Sequence, residues 1–104
     1  MTAQFDVVVN LHQPSKRAFP YFLVLQHDFL DDFKSVIVAP VHAAKGSAPI
    51  SKLSVDLNVL DIPHFAAIHL IAAMDRTTIG HTVSNALYHR DAIVRAYDII
   101  ISGI

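Results

Sequence analysis

Apolar and polar residues alternate most cleanly over residues 53–60, where Leu53, Val55, Leu57 and Val59 are set against Ser54, Asp56 and Asn58. A period of two marks a strand with one face buried and the other wet. Elsewhere the apolar positions run together. Residues 4–10, rich in valine, and residues 19–26, aromatic and branched, predict a first and a second strand. The polar stretch between them, residues 11–17 with Pro14, reads as a hairpin loop. Residues 35–41 predict a third strand, and residues 53–60 and 65–70 two more, separated by Asp61-Ile62-Pro63. Residues 29–33, set among Asp28, Asp31 and Asp32, look like a turn carrying exposed apolar residues. Residues 43–51 are the loosest segment and a candidate mobile loop, and residues 71–79 read as a short turn with a last small strand.

From about Ser84 the period lengthens to that of a helix. Val83, Leu87, Val94, Tyr97 and Ile101, with Ala86, Ile93 and Ile100 beside them, form one broad apolar stripe. Ser84 or Thr82 is placed to cap the start. Asp91 and Arg95 stand at i,i+4 in the favourable acid-first order, and Gly103 falls where helices commonly stop in a left-handed residue. The expected architecture is mainly β: five or so antiparallel strands in a barrel-like sheet, with a C-terminal α-helix packed on it.

A chain of 104 residues that is 53% hydrophobic has more apolar surface than one small core readily hides. A homodimer or a permanent partner is the expected outlet, within a single domain spanning residues 1–104. The longest apolar run, residues 65–74, is too short for a bilayer, which needs about 20 residues. The amino terminus lacks the basic stretch and cleavage site of a signal peptide, so a cytoplasmic protein without membrane contact is expected.

Eight Lys and Arg balance nine acids, so direct nucleic-acid binding is disfavoured and a protein partner is favoured. The seven histidines are scattered, with no helical i,i+4 pair and no cysteine to join them, so no metal site or other cofactor is expected. No nucleophile elbow occurs, and three glycines cannot build a phosphate-cradling loop. The remaining candidates are apolar. Phe29 and Leu30 stand between aspartates, and the run Asp98-Ile99-Ile100-Ile101-Ser102-Gly103-Ile104 closes the helix. Packing accounts for Ile100, while Ser102-Gly103-Ile104 suits either a helix stop or a partner-binding end.

Residues 19–32, FPYFLVLQHDFLDD, resemble the early strand and turn of the CcdB toxins. VIVAPV at residues 36–41 is similar to a strand of that family, and YHRDAIVRAYDIIISGI at residues 88–104 to its terminal helix. Gln4-Phe5 also fits, while residues 45–79 resemble the family by pattern more than by identity. The resemblance implies a non-catalytic, cytoplasmic homodimer with an SH3-like barrel, serving as the toxin of a plasmid or chromosomal toxin–antitoxin pair. Such a toxin binds the A subunit of DNA gyrase, traps the cleaved gyrase–DNA complex, and is neutralised by a CcdA-like antitoxin. Carried over by position, the gyrase-facing residues are Phe29, Leu30, Asp98, Ile101, Ser102, Gly103 and Ile104. The chain departs from the best-known member at Ser102, where that protein has a tryptophan stacked on a gyrase arginine, and at Val24 and His27, which replace an aspartate and a serine near the antitoxin-facing surface. Two alternatives stay open: a MazF-like ribonuclease on the same barrel, and a non-toxic relic of the CcdB family.

Overall fold

The valine runs that do not alternate fold as strands covered on both faces. The computed structural model describes residues 2–27, 34–44 and 53–103. They form β1 (Asp6–Asn10), β2 (Tyr21–Val24), β3 (Ser35–Ala43), β4 (Ser54–Val59), β5 (Ile62–Ala67), β6 (Ala72–Asp75), β7 (Ile79–Asn85) and α1 (Arg90–Ser102). Within β1, Val7 faces the main core while its neighbour Val8 faces a second cluster with Phe22, Val24, Val36 and Val38. Successive strand residues point to opposite faces, so the central residues of a strand inside this sheet, Val7, Val8 and Val9 in β1, are apolar in succession. β4 lies at an edge and keeps its alternation, burying Val55, Leu57 and Val59 and exposing Asp56 and Asn58.

The sheet is antiparallel, in the order β4-β5-β3-β2-β1-β7. β3 forks. Its end pairs with β5 from Val41 to Ala43 and its beginning with β6 from Ser35 to Val38, while β2 runs along its other side. The result is an antiparallel half-barrel with a C-terminal helix, the mainly β, SH3-like architecture expected. The helix covers the core formed by Phe5, Val7, Leu23, Val41, Leu57 and Ile68, into which it sends Ile93 and Ala96. Each large aliphatic side chain removed from water there contributes about 1.5–3 kcal/mol.

Several element boundaries differ from the sequence reading. The separator before β5 is not Asp61-Ile62-Pro63 but Leu60-Asp61, and Ile62 and Pro63 belong to the strand. Leu60 and Asp61 both have positive φ, 52° and 66°, and Val59 pairs directly with Ile62. This is the two-residue hairpin geometry that usually calls for Asn-Gly, so neither residue announces it. The strand expected at residues 65–70 ends at Ala67 and tightens into a 3₁₀ turn, Ile68–Leu70.

The largest correction concerns β7. Ser84 and Thr82 cap no helix; they pair with Val7 and Val8 of β1. A further 3₁₀ turn, Leu87–His89, intervenes, and α1 begins only at Arg90 with no side-chain cap on its start. Asp91 makes an ion pair with Arg90, at 3.5 Å, in place of the expected pair with Arg95. The predicted stripe is therefore split. Val83 packs on the core from β7 and Ala86 is buried, but Leu87, Val94, Tyr97 and Ile101 are exposed, and the buried face of α1 is Ile93, Ala96 and Ile100. The helix carries apolar residues on two adjoining faces, so periodicity fitted either phase. The proposed turn at residues 29–33 lies outside the described residues, as does most of the proposed loop at 43–51.

Buried polar side chains hold the frame. Asp6 accepts bonds from the Ala3 N–H (2.8 Å), the Thr82 hydroxyl (3.2 Å) and the Asn85 amide (2.8 Å), tying the amino-terminal segment to β7. Asn10, only 1% exposed, donates to the Phe19 carbonyl and to the Ser15 hydroxyl, and accepts from the His12 N–H. Those three bonds fix the loop between β1 and β2. Gly80 permits the close approach of β7 to β1, since a Cβ there would stand 2.9 Å from the Cβ of Val9.

Candidate partner-binding site on the terminal helix

The end of α1 is built by local bonding. Gly103 adopts φ 75°, a left-handed conformation that favours glycine, and its N–H donates to the Ile99 carbonyl at 2.9 Å. A Cβ at this position would meet no neighbouring atom, so the backbone angle alone calls for glycine. The Ser102 hydroxyl donates to the Asp98 carbonyl at 2.7 Å, which occupies its hydrogen within the helix. Ile101 is 65% exposed, and the sheet offers it no cover.

Asp98, Ile101, Ser102 and Gly103 thus share the last turn and a half of α1, all exposed. Phe29, Leu30 and Ile104 lie outside the described residues. Val94, Tyr97 and Ile101 follow one another at helical spacing with Asp98 beside them, so an apolar strip edged by a carboxylate runs along the helix. A cleft of about 260 Å³ opens beside the strip, between Val94 and Tyr97 on the helix and Gln4, Phe5, Leu25 and Ile37 on the sheet. Sequence reasoning did not find Val94, Tyr97 or this cleft as surface. The available signal was the excess of apolar positions on α1, more than one buried face can use.

The strip and the cleft expose apolar side chains edged by the Asp98 carboxylate. Arg17, Arg76, Arg90 and Arg95 stand on the β1–β2 loop, on the 3₁₀ turn Arg76–Thr78, and on α1. His12 and Ser15 meet at 2.8 Å inside one turn, and buried His64 is held by the Ile62 carbonyl at 2.8 Å with its ring edge-on to Tyr21. Asp75 has its carboxyl held below the usual range by bonds from the Thr77 N–H and hydroxyl, with Lys34 adding a smaller pull. Among the described residues no three His or Asp side chains gather as metal ligands, and no helix is long and apolar enough to cross a membrane.

Several solved structures share this fold. The Mycobacterium tuberculosis toxin MazF-mt6 superposes with a TM-score of 0.73 at 14% identity, over 91% of this chain and 94% of that one. An endoribonuclease from a mycobacterial species gives 0.75 at 10% identity, over 96% and 90%. An endoribonuclease in complex with its cognate antitoxin, also mycobacterial, gives 0.75 at 8% identity, over 97% and 95%. At these identities the likeness is one of fold. No curated protein matches the sequence. The family model described as CcdB protein matches residues 4–103, which is nearly the whole chain, so the chain belongs to the CcdB family of toxin–antitoxin toxins.

Proposed function

We propose that this protein is a gyrase-poisoning toxin that acts by contact alone. It works in the cytoplasm as a homodimer, binds the A subunit of DNA gyrase through the end of α1, traps the cleaved gyrase–DNA complex, and is neutralised by a CcdA-like antitoxin. The observation that carries this reading is the CcdB match over residues 4–103. The exposure of Asp98, Ile101, Ser102 and Gly103 at the end of the helix supports it, since a protein partner needs an uncovered apolar patch beside a polar rim. Purified protein incubated with gyrase, supercoiled DNA and ATP is expected to give linear DNA with gyrase covalently attached. Removing residues 102–104 is expected to abolish that product while thermal unfolding and the sedimentation of the dimer persist. An intact product after truncation would sink the role given to the tail.

A second reading is a ribonuclease toxin, favoured by the superposition on mycobacterial endoribonucleases. Cleavage of single-stranded RNA needs cations along the strand and an acid–base pair. Incubation with RNA in the absence of gyrase separates the two: defined fragments favour the enzyme, and intact RNA together with trapped gyrase favours the poison.

A further inference from the structure

The loop between β1 and β2 is held by a hydrogen-bond relay whose direction its partners fix. The Asn10 side-chain oxygen accepts the His12 N–H at 2.7 Å, so the other end of that amide is its nitrogen. The nitrogen spends its two hydrogens on the Phe19 carbonyl, at 2.7 Å, and on the Ser15 hydroxyl oxygen, at 3.0 Å. Ser15 is left with one hydrogen and two acceptors in reach, both on His12: the ring Nδ1 at 2.8 Å and the carbonyl oxygen at 3.5 Å. That carbonyl already accepts the Ser15 and Lys16 N–H groups, at 3.1 and 3.0 Å. The hydroxyl hydrogen therefore goes to Nδ1, and the ring is neutral, with its own hydrogen on Nε2.

Protonating His12 inverts the relay at one atom. Nδ1 becomes a donor, and the Ser15 oxygen then faces two donors, Asn10 and the imidazolium, with its own hydrogen turned to the 3.5 Å contact. A bond of that length contributes little. Lys16 and Arg17 are exposed on the same loop and residues 11–27 hold no acid, so nothing on the loop offsets a further positive charge.

The other titratable and charged groups stand on the elements around the loop. His42 lies on β3, and its ring meets Phe19 edge-on at 6.2 Å. His69 precedes Leu70 in the 3₁₀ turn Ile68–Leu70, and Asp75 follows Met74 on β6. Arg76 opens the turn whose Thr78 carbonyl accepts the Leu11 N–H at 2.9 Å, and His81 lies on β7. Among the described residues none of these groups pairs with His12.

The loop also covers apolar surface. His12, Ser15 and Phe19 line a groove of about 230 Å³ together with Phe22, Val38 and Leu70. Phe22 and Val38 are buried, so a loosened loop would open them to water.

We propose that the β1–β2 loop is an acid-opened strap. It is closed over the groove while His12 is neutral and its Nδ1 takes the Ser15 hydrogen, and it loosens when the ring gains a proton. The sign follows from which form is bonded: the closed loop is held at the alkaline end of the range in which histidines titrate, and it is released as pH falls. The inference rests on the relay alone and holds whichever partner the protein has.

The test is amide exchange by NMR on the whole protein between about pH 5 and pH 8, expressed as protection so that the intrinsic pH dependence of exchange drops out. The reporters are the Ser15, Lys16 and Phe19 amides, which donate to the His12 and Ser15 carbonyls. Their protection is expected to fall by about twofold to tenfold toward acid, the effect of losing one hydrogen bond. The midpoint should match that of the His12 ring resonances, while Val7 and Leu23 in the β1–β2 ladder keep their protection. H12N puts a side-chain oxygen where Nδ1 stands, an acceptor that does not titrate, and should hold the loop closed throughout. S15A removes the hydroxyl and should leave the loop open at every pH. Wild-type protection that stays flat or rises with acid, a fall that persists in H12N, or an S15A loop as protected as the wild type would each overturn the proposal. So would a midpoint that follows another histidine, or an equal loss at Val7 and Leu23, which would make the change one of global stability.

Discussion

The Ser102 hydroxyl donates to the Asp98 carbonyl, 2.7 Å away and one turn back along α1. Ser102 therefore spends its one hydrogen inside the helix, and it offers a partner only a small, polar-tipped surface. Replacing it with alanine should leave gyrase trapping within about threefold, because a surface change of this kind costs roughly 0.5 kcal/mol or less. S102W should act in the other direction. A ring at this position gives a partner arginine a face to stack on, worth about 1 kcal/mol, or close to fivefold in affinity. Calorimetric titration of a gyrase A-subunit fragment into the three proteins checks both, and an S102W protein that binds no better than wild type would remove the stacking argument.

Two isoleucines of one helix should respond oppositely. Ile101 is 65% exposed and Ile93 is 2% exposed. I101D is expected to lose gyrase trapping while its unfolding midpoint in denaturant stays near that of the wild type. I93A is expected to lose about 2–5 kcal/mol of stability, the usual cost of emptying a buried aliphatic site. Denaturant curves with parallel slopes, measured beside the trapping assay, separate the two effects.

That pair also shows how far the sequence could be read. The strands in the middle of the sheet were legible because continuous valine is what two buried faces require, and β4 was legible because one wet face forces alternation. α1 was legible as a helix but not in phase. Val94, Tyr97 and Ile101 satisfy the helical period as well as Ile93, Ala96 and Ile100 do, and only the neighbouring sheet decides which set is buried. β7 was hidden because Gly80, His81, Thr82 and Ser84 carry no strong strand signal; its pairing with β1 is a long-range contact. The exposed end at Asp98 and Ile101 came from resemblance rather than periodicity.

The hairpin turn at Leu60-Asp61 is an opportunity for stabilisation. Both residues sit at positive φ, and the Leu60 side chain is 62% exposed, so its conformation is strained without any burial in return. Replacing the pair with Asn-Gly should raise stability by roughly 1 kcal/mol, since those residues adopt the left-handed region with less strain. A small domain should then show a thermal midpoint higher by about 4–8 °C. An unchanged midpoint would mean that the turn relaxes without cost.

The turn after β6 should depend on acid. The Asp75 carboxyl is held below its ordinary range by the Thr77 N–H and hydroxyl, so the ionised form is the one that stabilises the turn. A carboxyl with a depressed folded value stabilises fully above its unfolded value and loses that contribution as pH falls through the folded one. The Thr77 amide resonance should therefore move only below the ordinary carboxylate range, and it should be pH-independent there in D75N. Movement at a higher pH would show that the two hydrogen bonds are not made to the ionised carboxylate.

Asp6 should be the polar residue whose loss is felt furthest along the chain. Its two oxygens receive Ala3, Thr82 and Asn85, and the last two lie on β7, more than seventy residues away in sequence. Removing the carboxylate leaves those donors facing a nearly buried site, each at about 1–3 kcal/mol if water does not reach it. D6A is expected to lose about 2–4 kcal/mol. D6N should recover little of this, because its amide nitrogen adds a donor where donors already converge. The loss should also be local in its first appearance: hydrogen exchange in D6A should quicken along β7 and the residue 2–5 segment before it does in β4 and β5. A uniform quickening across the sheet would show that Asp6 contributes to global stability alone and does not fasten that edge.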